Sequence, residues 1–267
     1  MSIFNIVAYH IITDNLLLVG GFMWEFSLAC ETKNKYILDY INNCFCGDLP
    51  DCMLTSFKDG KYTYLLFASD ERIGEICKSK IKHSIITYII DVYKYDFFKK
   101  IIAKNRVNTL MLEAYIKALT LYDIDTDIAL INDSFSLDRQ FYIDSFLNFK
   151  MYDMLRIWKE LCDLIVSNIN FLNSGMMIDV MKQFIATFNT NTSKLKIIIK
   201  KGGFVLYRVD DDQPPIKLKD KAPDIDIINY ILLANPKLIE IYGDTTNSFD
   251  VINLLKSLYE DKVVLFK

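Results

Sequence analysis

Glycine and proline are scarce in this chain, nine and five among 267 residues. A chain with so few breakers, and with 52% of its residues apolar, is not a disordered polymer. It has the material for long regular elements and a sizeable core. Arginine is confined to Arg72, Arg106, Arg139, Arg156 and Arg208, so the planar bidentate fork that phosphate-reading surfaces prefer is in short supply. The formal net charge of −3 gives no general attraction to nucleic acid or to an anionic membrane, and nucleic acid is not an expected partner. Long hydrophobic runs are missing too. The longest early one, Leu16 to Trp24, falls far short of a bilayer span, so no membrane insertion is expected.

Histidine occurs only as His10 and His83, which bears on the six cysteines. Three of those lie in CFCGDLPDC as Cys44, Cys46 and Cys52. Zinc sites want paired Cys-x2-Cys or Cys-His sets; here the inner spacing is one residue and no His is near. They read as buried or idle thiols, and no metal is assigned. Cys77 and His83 stand six apart on a predicted helix, on different faces, and do not make a nucleophile–base pair. The opening, MSIFNIVAYHIITDN, has no basic stretch and is interrupted by Asp14, unlike a secretory signal. The expectation is a soluble cytoplasmic protein with reduced thiols.

What is abundant is Lys, Ile, Asn, Tyr, Phe and Asp. This is the bias of an AT-rich coding sequence, shared by viruses, protists and some bacteria. The pattern of these residues sets the expected elements. Residues 3–12 read as a strand and 16–22 as its hairpin partner. Residues 25–43 read as a helix with Phe26, Ala29, Cys30, Ile37 and Ile41 along one side. CMLTSF, KDG and KYTYLLFA make a second hairpin with Gly60 at the turn, and Ser69 or Asp70 caps the helix that follows. The order strand–strand–helix–strand–strand–helix is similar to that of longin-type trafficking modules, and that resemblance implies a trafficking role.

Residues 81–190 carry five apolar-striped helical stretches, one of them over 137–149, without a fixed repeat period. YDIDTDIALIND, with Asp123, Asp125 and Asp127 alternating, reads as a polar loop between helices. Met151, Met154, Met176, Met177 and Met181, with Trp158 and Phe184, read as core packing, with an adaptable groove for a partner helix as the other reading. After a polar junction at 189–193 come a third hairpin, an exposed DDDQPP loop, an element over 224–234, a strand in KLIEIYG, a helix in SFDVINLLKSLYED and a last strand in KVVLF. The fold class is therefore α+β. Mixed α/β segments at 1–80 and 191–267 flank a helical region at 81–190, and the two ends are able to share one sheet.

One stretch admits two chemistries. A glycine pair, Gly202 and Gly203, precedes an acid-apolar-acid step, Asp224 and Asp226. In this it resembles polymerase-β-like nucleotidyltransferases. The resemblance covers about residues 194–245. It implies a Mg2+-dependent enzyme or a decayed relative: Gly202, Gly203 and Lys201 would hold nucleotide phosphates, and Asp224, Asp226 and Glu240 would hold magnesium. The gap of twenty residues from Phe204 to Pro223 exceeds that family's usual spacing. The other reading is a helix: Ile225, Ile228, Ile231 and Leu232 keep helical spacing, Pro223 suits a first turn, and Asn235-Pro236 ends it. Two helical residues two apart point about 200° apart and do not share an ion. The helix is the expected outcome. With no catalytic set assembled, the expected function is a non-catalytic protein–protein interaction or scaffolding factor from an AT-rich, viral genome. The partner is a protein, no cofactor is assigned, and the transferase and the longin-like module are the alternatives.

Overall fold

A computed structural model describes residues 23–45, 52–104, 109–135, 137, 140–168, 174–188, 192–201, 203–209, 216–222, 224–244 and 248–266. The expected first hairpin, DDDQPP, Gly202 and Cys46 lie outside the described residues. In chain order the elements begin with β1 (Met23–Glu31), α1 (Lys35–Phe45), β2 (Cys52–Asp59), β3 (Tyr62–Asp70) and α2 (Glu71–Tyr88). A π-helical stretch, Ile89–Lys94, leads to α3 (Tyr95–Ile102), α4 (Leu110–Leu121), α5 (Ile124–Ser134) and β4 (Gln140–Tyr142). Then follow α6 (Tyr152–Asn168), α7 (Ser174–Thr187), β5 (Lys194–Lys200), β6 (Gly203–Val209), β7 (Ile216–Ala222) and α8 (Asp224–Ala234). β8 (Leu238–Tyr242), α9 (Phe249–Tyr259) and β9 (Val263–Phe266) complete the order.

The fold is α+β, as expected. It divides into two compact units, Met1–Val92 with Asp125–Ile157 and Tyr93–Ile124 with Trp158–Lys267. These are not the limits expected near 80 and 190, because part of the middle of the chain belongs to each unit. The described strands of the two ends do not share a sheet either: β1 to β4 form a four-stranded sheet and β5 to β9 a five-stranded one.

In the first unit the strand order is β2-β3-β1-β4. β3 runs antiparallel to β1 and β2, and β4 parallel to β1. The β2–β3 turn places Gly60 at φ +58°, where a side chain would be strained. Asp70 caps α2 by accepting from the Arg72 amide at 2.8 Å. The paired residues Phe26–Phe67 and Leu28–Leu65 share one buried face. It is covered by α1 through Ile37, Leu38 and Ile41 and by α2 through Cys77, Ile81 and Ile85.

Three expectations are corrected here. The helix expected over 25–43 begins only at Lys35, because Phe26, Leu28 and Cys30 alternate as a strand and pair with β3. The helix expected over 137–149 contains β4, docked on β1 through Phe141 and Tyr142. The acidic loop is helix α5: Asp123 takes a left-handed φ of +56° before it, and Asp125 and Asp127 sit in its first turn, where the helix end is positive.

In the second unit the order is β7-β6-β5-β8-β9. β5, β8 and β9 are parallel neighbours, while β6 pairs antiparallel with β5 and with β7. Leu195, Ile197, Phe204, Leu206, Ile239 and Ile241 bury one face. α8 packs on β6 and on α4, whose run Ala114–Leu121 is buried on all sides. Asn235 ends α8 at φ +35° and donates its side-chain amide to the Ile185 and Phe188 carbonyls at 3.2 and 2.9 Å, closing the C-terminal turn of α7. From Lys194 to Phe266 the hairpin, helix, strand, helix and strand follow as expected, but β7, which the sequence reading did not assign, stands between the hairpin and α8 and pairs with β6.

Helix α2 lies close enough to β1 that a Cβ on Gly74 would stand 2.6 Å from Trp24 Cγ and 2.7 Å from its Cβ. Gly74→Ala is therefore expected to destabilise the protein by about 1–3 kcal/mol, outweighing the ~1 kcal/mol of helix propensity that alanine adds. A lower urea midpoint at unchanged slope is the expected reading, and the loss shrinks when Trp24 is replaced by Leu in the same chain.

Candidate functional site

The acids of the transferase reading are not brought together. Asp224 and Asp226 occupy the first turn of α8, where Ile227, Ile228, Ile231 and Leu232 are buried and the two carboxylates splay. Glu240 stands on β8, its Oε1 2.9 Å from Lys194 Nζ and its Oε2 accepting from the Tyr242 hydroxyl at 3.0 Å. Burial pushes the Glu240 carboxyl up, but Lys194 and Tyr242 together hold it below its ordinary range. Gly203 opens β6 at φ +137° and Lys201 is exposed in the hairpin turn. Among the described residues no three His, Cys, Asp or Glu side chains converge as a metal set.

The other singled-out residues fall into place singly. Cys44 is exposed, and the Cys52 thiol, part-buried, is pushed up to about 12 by burial and by the adjacent Cys77 thiol. Cys77 is buried on α2 while His83 on the same helix is exposed. Met151, Met154, Met181 and Trp158 are buried, and Met176 is exposed. Among the described residues no helix is long and apolar enough to cross a membrane.

A different grouping emerges on the face of the four-stranded sheet opposite helices α1 and α2. The strand period of two sends Thr63, Leu65 and Phe67 to the helices and Tyr62, Tyr64 and Leu66 to the opposite face. Register brings Phe57 of β2 beside Tyr64, and Ala29 of β1 lies between Tyr64 and Tyr142 of β4. Ala29 is small and fully buried, so the flanking rings close over it.

Phe57 and Tyr64 stack with centroids 4.9 Å apart at 8°. Tyr62 meets Tyr142 edge-on at 5.4 Å and Tyr64 at 6.4 Å. The Tyr142 phenol neighbours that of Tyr64, and the Gln140 amide donates to the Tyr142 hydroxyl at 3.0 Å. Burial, then that neighbouring phenol, pushes the Tyr64 hydroxyl up to about 12. The Lys61 ammonium lies 5.0 Å over the Tyr62 ring. At one end of the face the Asp144 carboxylate accepts from the Glu31 amide at 2.6 Å and the Asn34 side chain at 2.5 Å, fixing the exit of β1.

The result is a half-exposed cluster of four rings edged with hydroxyls. Such a cluster offers apolar area and hydrogen bonds to a ligand at little entropic cost. The signal for it is present in KYTYLLFA as the alternation of Tyr62, Tyr64 and Leu66. Tyr142 had no such signal, because its strand is three residues long inside a helical-looking stretch. No protein family, no curated protein and no solved structure matches this chain.

Because the folded protein holds the Tyr64 proton more tightly than the unfolded chain, its contribution to stability is full below pH 10. That contribution is lost as pH climbs toward 12. Tyr64→Phe is expected to flatten the fall of the urea midpoint across this interval. A fall as steep in the variant as in the parent would show that Tyr64 is not part of the alkaline transition.

Proposed function

We propose that this protein is a non-catalytic protein–protein interaction or scaffolding factor that receives its partner on the open face of the four-stranded sheet. The observation that carries the reading is the convergence of Phe57, Tyr62, Tyr64 and Tyr142 from three strands onto one half-exposed face that no described helix covers. Tyrosine is enriched at the centres of protein interfaces because a stiff two-torsion side chain brings a large apolar body and one polar tip. The charges at the margin, Glu31, Asp59, Lys33 and Lys61, are mixed in sign, which suits a polypeptide surface better than a polyanion. A cytoplasmic location and a viral source belong to the same reading, on composition alone.

The test is comparative. The full chain and its Tyr62→Ser/Tyr142→Ser variant are used as baits in the source cells, and proteins retained by the parent and lost by the variant are purified and titrated. At least one such protein is expected to bind the parent directly and to lose about tenfold or more in affinity with the variant, the scale of a tyrosine hot spot. Equal binding of every purified partner by both baits, with both baits folded, would remove the tyrosine face as the interface.

A further inference from the structure

The two edges of the five-stranded sheet are built differently. One edge among the described strands is β7, whose sequence IKLKDKA places Lys217, Lys219, Asp220 and Lys221 along a seven-residue strand. Charge of this density is the common guard against a further strand pairing there. The other edge is β9, VVLF, which has neither charge nor proline. Val264, Leu265 and Phe266 are 37%, 39% and 39% exposed.

The ladder identifies which backbone groups of β9 face outward. The Gly243 amide donates to the Phe266 carbonyl at 3.3 Å, with Phe266 in register with Tyr242. Phe266 and, two residues earlier, Val264 therefore turn their backbone groups to β8. Leu265, between them, turns its N–H and C=O away from the sheet. Val263 also faces outward, but its amide is already given to the Glu260 carbonyl. Leu265 is thus the residue of β9 with both an outward donor and an outward acceptor.

We propose that β9 pairs antiparallel with β9 of a second copy of this chain, in a register centred on Leu265. In that register Leu265 faces Leu265 of the other copy and the two exchange both N–H···O bonds, as a hydrogen-bonded pair of an antiparallel ladder does. Val264 then lies opposite Phe266 in both halves, a β-branched against aromatic pair of the favourable kind. No like charges within β9 are opposed. Centring the pairing between Val263 and Leu265 instead would lose a bond, because the Val263 amide is occupied. The contact is two-fold and self-complementary, so it closes at a dimer. It makes the two five-stranded sheets one continuous sheet, and β7 remains guarded at each outer edge. It uses backbone and apolar groups of the second unit, and stands or falls separately from the tyrosine face.

One short strand pair covers less than a standard interface, so association on the order of micromolar is expected. Sedimentation velocity of the full chain, from low-micromolar to several-hundred-micromolar concentration, is expected to move from 31.1 kDa toward twice that mass. Leu265→Pro removes the outward donor without touching the ladder to β8, and Leu265→Lys supplies the guard that β9 lacks. Each is expected to weaken association about tenfold or more at an unchanged unfolding midpoint. If the proline variant does not fold, the lysine variant decides. Leu265→Cys is expected to form a disulfide-linked dimer on mild oxidation that the parent does not, since Cα atoms of such a pair lie about 5.5 Å apart. A monomer at every concentration would overturn the proposal. So would a dimer that persists undiminished in the folded lysine variant, since it would use another surface.

Discussion

Among the described residues, the helices that pack on each sheet lie on one side of it, and the strand period of two divides the side chains of every strand between that side and the other. In the second unit this follows from chain direction. β5, β8 and β9 are parallel and follow one another across the sheet in one direction. Right-handed crossovers taken in one direction deliver their helices to the same face, so α8 and α9 share a side and Leu195, Ile197, Ile239 and Ile241 are buried beneath that layer. Lys194, Lys196, Glu240 and Tyr242 keep the other side. In the first unit α1 and α2 both pack on β1 and β3, over Phe26, Leu28, Leu65 and Phe67, and the tyrosines are left on the reverse. The alternation that builds each core thus also defines what is presented outside it.

Lysine is abundant, yet much of it is engaged within the second unit. Lys94 is 2% exposed, donates to the Tyr122 carbonyl at 3.0 Å and lies 5.6 Å from the centres of both the Phe98 and Trp158 rings. A cation so placed completes the C-terminus of α4 and is held by ring quadrupoles. Lys99 reaches Glu113 at 2.7 Å, and Lys117, also buried, lies over the Tyr95 ring. On the open side of the sheet the Tyr242 ring stacks on Phe266 at 4.6 Å, and Lys196 stands 4.3 Å from its centre. With both faces engaged, that ring is not a free platform for a base.

Much of the second unit was legible because its elements are local. The hairpin from Lys194, the strand over Leu238–Tyr242 and the helix and strand after it each carry their own period and punctuation. Helix α8 was legible for the same reason, since Ile228, Ile231 and Leu232 outweigh the alternation of Asp224 and Asp226. The first unit resisted where tertiary pairing decides. Phe26, Ala29 and Cys30 satisfy a helical period, and only the neighbouring β3 makes them a strand. β4 exists because β1 offers it an edge. Two of the surface's four rings, Tyr62 and Tyr64, could be seen in the sequence; their meeting with Tyr142 could not, because it joins residues about eighty positions apart through an unforeseen strand.

The tyrosine face and the β9 edge differ in what they can discriminate. A face reads a partner through side chains in fixed positions, so recognition depends on matching shape and hydrogen bonds, and replacing a ring changes affinity for a particular partner. An edge reads through backbone groups that every strand possesses, so discrimination must come from register and from flanking charge. In the proposed pairing β9 takes its register from Leu265, whose outward groups have no partner among the described residues, and from having one amide already spent at Val263. That constraint favours a strand with the same pattern, which β9 of a second copy supplies.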